Sequence, residues 1–155
     1  MILSYFLFSF FYYTSSIIIP KVIKTPLYRS LPLIKMHDMI VLGKNNPEPD
    51  YYNKIYVIDF SPFEDISKPE VLIKMFTGNN IKGKLRVFYF DKVLKKNIMN
   101  ELQKNIIVYD VNIIKNYNMD IYNIISNWNI SFNLYNHNCK HFSEYIIKSL
   151  NLLTI

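Results

Sequence analysis

Apolar positions along this chain alternate every second residue in some stretches and recur at helical spacing in others. The two periods lay out a mixed fold. Leu33 to Leu42 predicts a strand, with Lys35, His37, Met39 and Val41 on one face and Ile34, Met36, Asp38, Ile40 and Leu42 on the other. Gly43 ends it, and Lys44 to Lys54, carrying Pro47 and Pro49, reads as a loop. Ile55 to Phe60 predicts the next strand, with Asp59 in phase with Ile55 and Val57, and Ser61-Pro62 is expected to break it. Leu85 to Phe90 predicts a third strand, with Leu85, Val87 and Tyr89 on one side. Ile106 to Val111 predicts a fourth, and Ile130, Phe132 and Leu134 alternate again.

Helical spacing fills the gaps. Ser67 to Phe76 predicts a short helix with Pro69 in its first turn, where a missing N–H costs nothing. Asp91 is expected to cap a helix running through Lys104 on the stripe Leu94, Ile98, Leu102. Asp120 to Trp128 places Ile121, Ile125 and Trp128 on one face. Asn138 is an N-cap candidate for a last helix with the stripe Phe142, Ile146, Leu150. Only three glycines are present, so turns fall on Asn, Asp and Pro. The sum is α+β, a small antiparallel sheet packed with helices. The length of 155 residues suits one domain with a substantial core.

Composition changes this picture little. The net charge is +6, yet the lysines are scattered and Lys95-Lys96 is the only adjacent basic pair. Nucleic-acid binding wants basic residues clustered on one face, so no nucleic-acid partner is expected. Asn, Ile, Lys and Tyr crowd a chain with no Ala, a bias of the kind an AT-rich coding sequence produces. One cysteine excludes an internal disulfide framework and fits a reducing compartment.

Met1 to Ile19 holds no charged residue. A membrane-spanning helix needs about 20 apolar residues, so a membrane anchor is favoured here over a signal segment or a core element. Lys21, Lys24 and Arg29 follow it, which would put the rest of the chain on the cytoplasmic side. The expected division is therefore an apolar segment over residues 1–20 and a domain over residues 21–155.

The chemistry concentrates in Tyr135-Asn136-His137-Asn138-Cys139-Lys140-His141-Phe142, which holds the single cysteine and two of the three histidines. A thiol in the first turn of a helix meets unpaired N–H groups and partial positive charge, both of which favour a thiolate. Catalysis then needs an imidazole base and a group to orient it. His141 follows Cys139 by two residues, about 200° around a helix, so it is expected to pack or hydrogen-bond elsewhere. His137 lies in the approach loop. His37, held rigidly on a strand, is the stronger candidate base, and Asp59 on the following strand is the candidate acceptor for its other N–H. The competing reading is a small buried thiol and a structural histidine. No metal or cofactor is expected, since Cys139 and His141 are too close for usual zinc-ligand spacing.

Asn138-Cys139-Lys140-His141-Phe142, preceded by Phe132-x-Leu134-Tyr135-Asn136, resembles the Asn-Cys-x-His-Phe motif of the circularly permuted, NlpC-related papain-like thiol enzymes. That group includes the lecithin:retinol acyltransferase-like proteins and the PPPDE (DeSI-type) isopeptidases. His37-Asp38-Met39-Ile40-Val41-Leu42-Gly43 looks like their early histidine strand, and Ser143 after the motif is closest to the PPPDE form. The resemblance spans roughly Leu33 to Leu150 and implies a permuted papain-like fold with a catalytic Cys139 opening a late helix and His37 as base. It departs at two places. No second histidine follows the first by about a dozen residues, where Asp59 would substitute, and Lys140 stands where acyltransferase-like members carry an acidic residue.

The expectation is a cysteine hydrolase or acyltransferase with Cys139, His37 and Asp59 as its catalytic set. It would act through an acyl-enzyme on a protein isopeptide or peptide, a thioester or a lipid ester, with membrane association through residues 1–20. The alternative is a non-catalytic, membrane-associated binding or regulatory protein on the same fold. A structural, membrane-anchored protein with an incidental cysteine is the third reading.

Overall fold

The computed structural model describes residues 20–25, 37–43, 48–104 and 107–153. Five strands among them, β1 (Lys21–Thr25), β2 (His37–Leu42), β3 (Tyr51–Pro62), β4 (Ile81–Leu94) and β5 (Ser131–Phe132), pair antiparallel in chain order. The helices are α1 (Pro69–Phe76), α2 (Ile98–Gln103), α3 (Ile114–Tyr117), α4 (Met119–Ser126) and α5 (Cys139–Leu153). The architecture is α+β, as the two apolar periods imply.

Strand alternation sends side chains to two cores. Ile40, Leu42, Ile58, Phe60 and Val87 form one face of the sheet and pack with buried residues of α1, α3, α4 and α5. Met39, Val41, Ile55, Val57 and Phe88 form the other and pack with Ile98 of α2. Every residue of β2 is buried, because both of its faces are covered. Each fully buried Ile or Phe contributes about 1.5–3 kcal/mol relative to exposure. The α5 stripe Phe142, Ile146 and Leu150 lies buried as its spacing predicts, and so do Ile121 and Ile125 of α4.

The long hairpin of β3 and β4 exceeds its sequence expectation. Tyr51, Tyr52 and Asn53 pair with Leu94, Val93 and Lys92, so the predicted loop gives way to strand before Lys54. The same pairing takes Asp91 to Leu94 into β4. The expected helix from Asp91 is therefore reduced to a 3₁₀ turn at Lys95–Asn97 and the short α2. Ladder bonds along a hairpin outcompete a local cap that Asp91 alone would provide. Ser61-Pro62 does not break β3 but ends it, opposite Lys84 and Gly83; a terminal proline removes no interior ladder bond. The stretch expected as a strand to Val111 contributes a single described bridge, Tyr109 to Val87. Gly83 is required by its surroundings, since a Cβ there would stand 2.5 Å from the Phe60 ring.

Residues 33–36 of the first predicted strand and the apolar segment to Ile19 lie outside the described residues. Among those described, no helix is long and apolar enough to cross a membrane.

Candidate active site

Asn138 builds the start of α5. Its Oδ1 accepts the N–H groups of Lys140 at 2.9 Å and His141 at 3.4 Å, and its Nδ2 donates to the Leu134 carbonyl at 2.7 Å. The cap thus fastens the helix start to the preceding turn. Asn133 closes that turn against His137 and donates to the Gly78 carbonyl at 2.9 Å. Cys139 stands in the first turn with its side chain inward, at 7% exposure. Its sulfur accepts the backbone N–H of Asp38 at 3.5 Å, across 101 positions of sequence.

His37 opens β2 and shares a face with Met39. Met39 opposes Asp59 in the β2–β3 register, so His37 reaches Asp59 on the diagonal of the same face. The imidazole Nε2–H donates to Asp59 Oδ2 at 2.8 Å, and the Cys139 side chain lies beside the ring and favours its charged form. With Nε2 committed to Asp59, Nδ1 is the nitrogen available to sulfur. The three residues singled out in the sequence therefore lie together, the carboxylate bonded to the imidazole and the thiol beside the ring.

Arg86 completes that chain. It lies directly opposite Asp59 in the β3–β4 register, and its Nε donates to Asp59 Oδ1 at 2.9 Å while Nη2 donates to Oδ2. Asp59 is fully buried. Burial alone would raise its carboxyl, but the bonds from His37 and Arg86 hold it below the ordinary carboxylate value. Burial likewise opposes the charged form of His37, yet bonds to Asp59 and Cys139 outweigh it and hold the ring up at about 9.

A second polar cluster lies on the opposite face of β2. Asp38 is buried there, taking Lys24 Nζ at 2.8 Å on Oδ1 and Ser143 Oγ at 3.3 Å on Oδ2. Ser143 is one helical turn past Cys139, so this contact pins the first turn of α5 to β2. Lys24 is held above its ordinary value by Asp38 first, with a smaller contribution from the nearby Cys139.

The other histidines take no part. His141 bonds the Asn138 side chain through Nδ1 at 3.0 Å. The His137 ring stacks on Trp128 at 4.1 Å and bonds the Asn129 carbonyl. Among the described residues no group of His, Cys, Asp or Glu is arranged to hold a metal ion.

Sequence reasoning missed Arg86, Lys24, Asp38 and Ser143. The phase of β4 puts Arg86 opposite in facing to Leu85 and Val87, which is a usable signal. Its meeting with Asp59 depends on the hairpin register, which local pattern does not specify.

Beside His37 a cleft of about 410 Å³ runs over the α2 face of the sheet. Met39, Phe88, Met99 and Leu102 give it an apolar wall, and His37 and Arg86 line its polar side together with Glu64, Asp65, Lys84 and Lys104. Ser61 also lines it, and its buried hydroxyl has no hydrogen-bond partner among the described residues.

No protein-family model matches the chain, and neither a curated protein nor a solved structure matches it.

Proposed function

We propose that this chain is a thiol hydrolase or acyltransferase with Cys139 as nucleophile, His37 as acid and base, and Asp59 as the group orienting the imidazole. The observation that carries the reading is the buried His37–Asp59 bond with Cys139, at the start of α5, beside the same ring. The permuted papain-like relationship belongs to the same proposal, since it demands this order: an early histidine strand and a late cysteine helix.

In the proposed reaction the Cys139 thiolate attacks an acyl carbonyl and forms a C–S bond. The carbonyl electron pair moves to oxygen, where the N–H of Cys139 is the donor assigned to it. Collapse breaks the bond to the leaving amine, alcohol or thiol, which takes a proton from His37. Water, or a second acceptor, then gives its proton back to His37 as it attacks the thioester and releases Cys139. Asp59 stays ionised throughout and keeps the imidazole in one orientation.

The test is alkylation of the full chain with iodoacetamide at pH 6, followed by intact mass. Modification at Cys139 about tenfold faster than a small thiol of ordinary reactivity is expected, slowed by His37→Ala. Incubation with a small acyl thioester should leave an acyl adduct that Cys139→Ser lacks. Alkylation no faster than the reference thiol, and unmoved by His37→Ala, overturns the reading.

One observation favours the second reading, a binding or regulatory protein on this fold. Cys139 and His37 are both nearly enclosed, at 7% and 5% exposure. That reading expects slow alkylation and no acyl adduct.

A further inference from the structure

We propose that Arg86 is a positioning residue of this site: by gripping both oxygens of Asp59 it divides the carboxylate between two cations and limits how tightly Asp59 holds the His37 ring in its protonated form. The inference rests on reading His37 as the acid and base of the site.

The geometry is specific. Asp59 Oδ2 is shared, receiving both His37 Nε2 and Arg86 Nη2, while Oδ1 takes Arg86 Nε. Arg86 is thus no remote counter-ion; it competes with His37 for one oxygen of a carboxylate that water does not reach. A two-point guanidinium grip also fixes the plane of the carboxylate, which a lysine's single ammonium would not.

The electrostatic consequence follows. An acid and base near neutrality must lose its proton readily enough to accept another. A lone buried carboxylate would hold the imidazolium strongly; a carboxylate already neutralised by Arg86 holds it less. Arg86 also repels the imidazolium directly. Both effects act in the same direction, lowering the affinity of His37 for its proton relative to a site without the arginine. The other groups facing the ring are few: Cys139 from α5 supports the charged ring, and Lys84, Glu64, Asp65 and Lys104 line the adjoining cleft with opposing signs. Lys24 is committed to Asp38 on the other face of β2.

The experiment is an NMR titration of the histidine ring carbons in the full chain, with His37→Gln identifying the His37 resonance. Arg86→Gln should move the His37 midpoint upward by about one unit. Arg86→Lys, which keeps the charge and loses the two-point grip, should move it upward by less. A purely structural arginine would leave the midpoint of a folded variant unchanged. An unmoved or lowered midpoint in Arg86→Gln overturns the proposal; if that variant does not fold, an unmoved or lowered midpoint in Arg86→Lys does so. The titration does not depend on turnover, so loss of the thiol-enzyme reading would show separately, as Cys139 alkylation indifferent to His37→Ala.

Discussion

Asp59 is the residue on which the site depends. It is fully buried and carries two cationic partners, so its charge is compensated only while both contacts persist. Asp59→Asn should cost about 3 kcal/mol, because it removes the buried negative charge and leaves one accepting oxygen for the donors of Arg86 and His37. Urea unfolding at pH 7 measures this. His37 has its own pH dependence. Its ring is held at about 9 against 6.5 in a free chain, so the folded state binds its proton more tightly than the unfolded state does. The stabilisation is fully present below about pH 6.5 and is lost as pH rises through about 9. The stability gap between the parent chain and His37→Gln should therefore narrow over that window. A gap that stays constant, or widens with pH, would contradict the assignment. Asp59 acts at the other end: its lowered carboxyl contributes above its ordinary value and loses that contribution as the solution is acidified through the folded value.

Two elements set the geometry. The start of α5 carries the thiol, and Asn138 holds that start in both directions. Asn138→Ala should cost about 1 kcal/mol, as loss of an N-cap does, and should also slow Cys139 alkylation by releasing the first turn from Leu134. Thermal unfolding and the alkylation rate read the two effects separately. The β3–β4 hairpin carries Asp59. Its register places Arg86 opposite Asp59 and packs Gly83 under the Phe60 ring. Gly83→Ala should destabilise by about 1–3 kcal/mol, because a methyl group there meets both the ring and the Ile130 carbonyl. Denaturant midpoints check it, with a neutral result excluding the tight packing.

At the scale of the molecule, the sheet separates two cores and the site sits where they meet. His37 and Asp59 belong to the α2 face, while α5 packs on the opposite face, so the thiol meets the ring at the end of β2. Phe60 anchors the α5 side, touching Trp128, Phe132, His137 and Phe142. Phe60→Ala should cost about 3–5 kcal/mol, the range for removing a buried ring. Trp128→Phe should be far milder, within about 1 kcal/mol. The indole N–H is buried without a hydrogen-bond partner among the described residues, and its removal offsets part of the lost area. Calorimetry on both variants tests the contrast.

The sequence by itself determined the α+β class, the facing of β2 and β3, the capped start of α5 and its buried stripe. These follow from the period of apolar residues and from side chains reacting with their own backbone, both local properties. It also singled out Cys139 and His37, because this chain has one cysteine and three histidines, and Asp59, because it lies on the strand after His37. Only the tertiary structure decided that the three come together. It likewise decided that Arg86 shares the carboxylate, that Asp38 and Ser143 lock the helix to β2, and that β4 runs on where a helix is predicted. Each of these depends on the register between strands and on the packing of α5 across the sheet. Register is a property of pairs of segments far apart in sequence, so no single stretch encodes it.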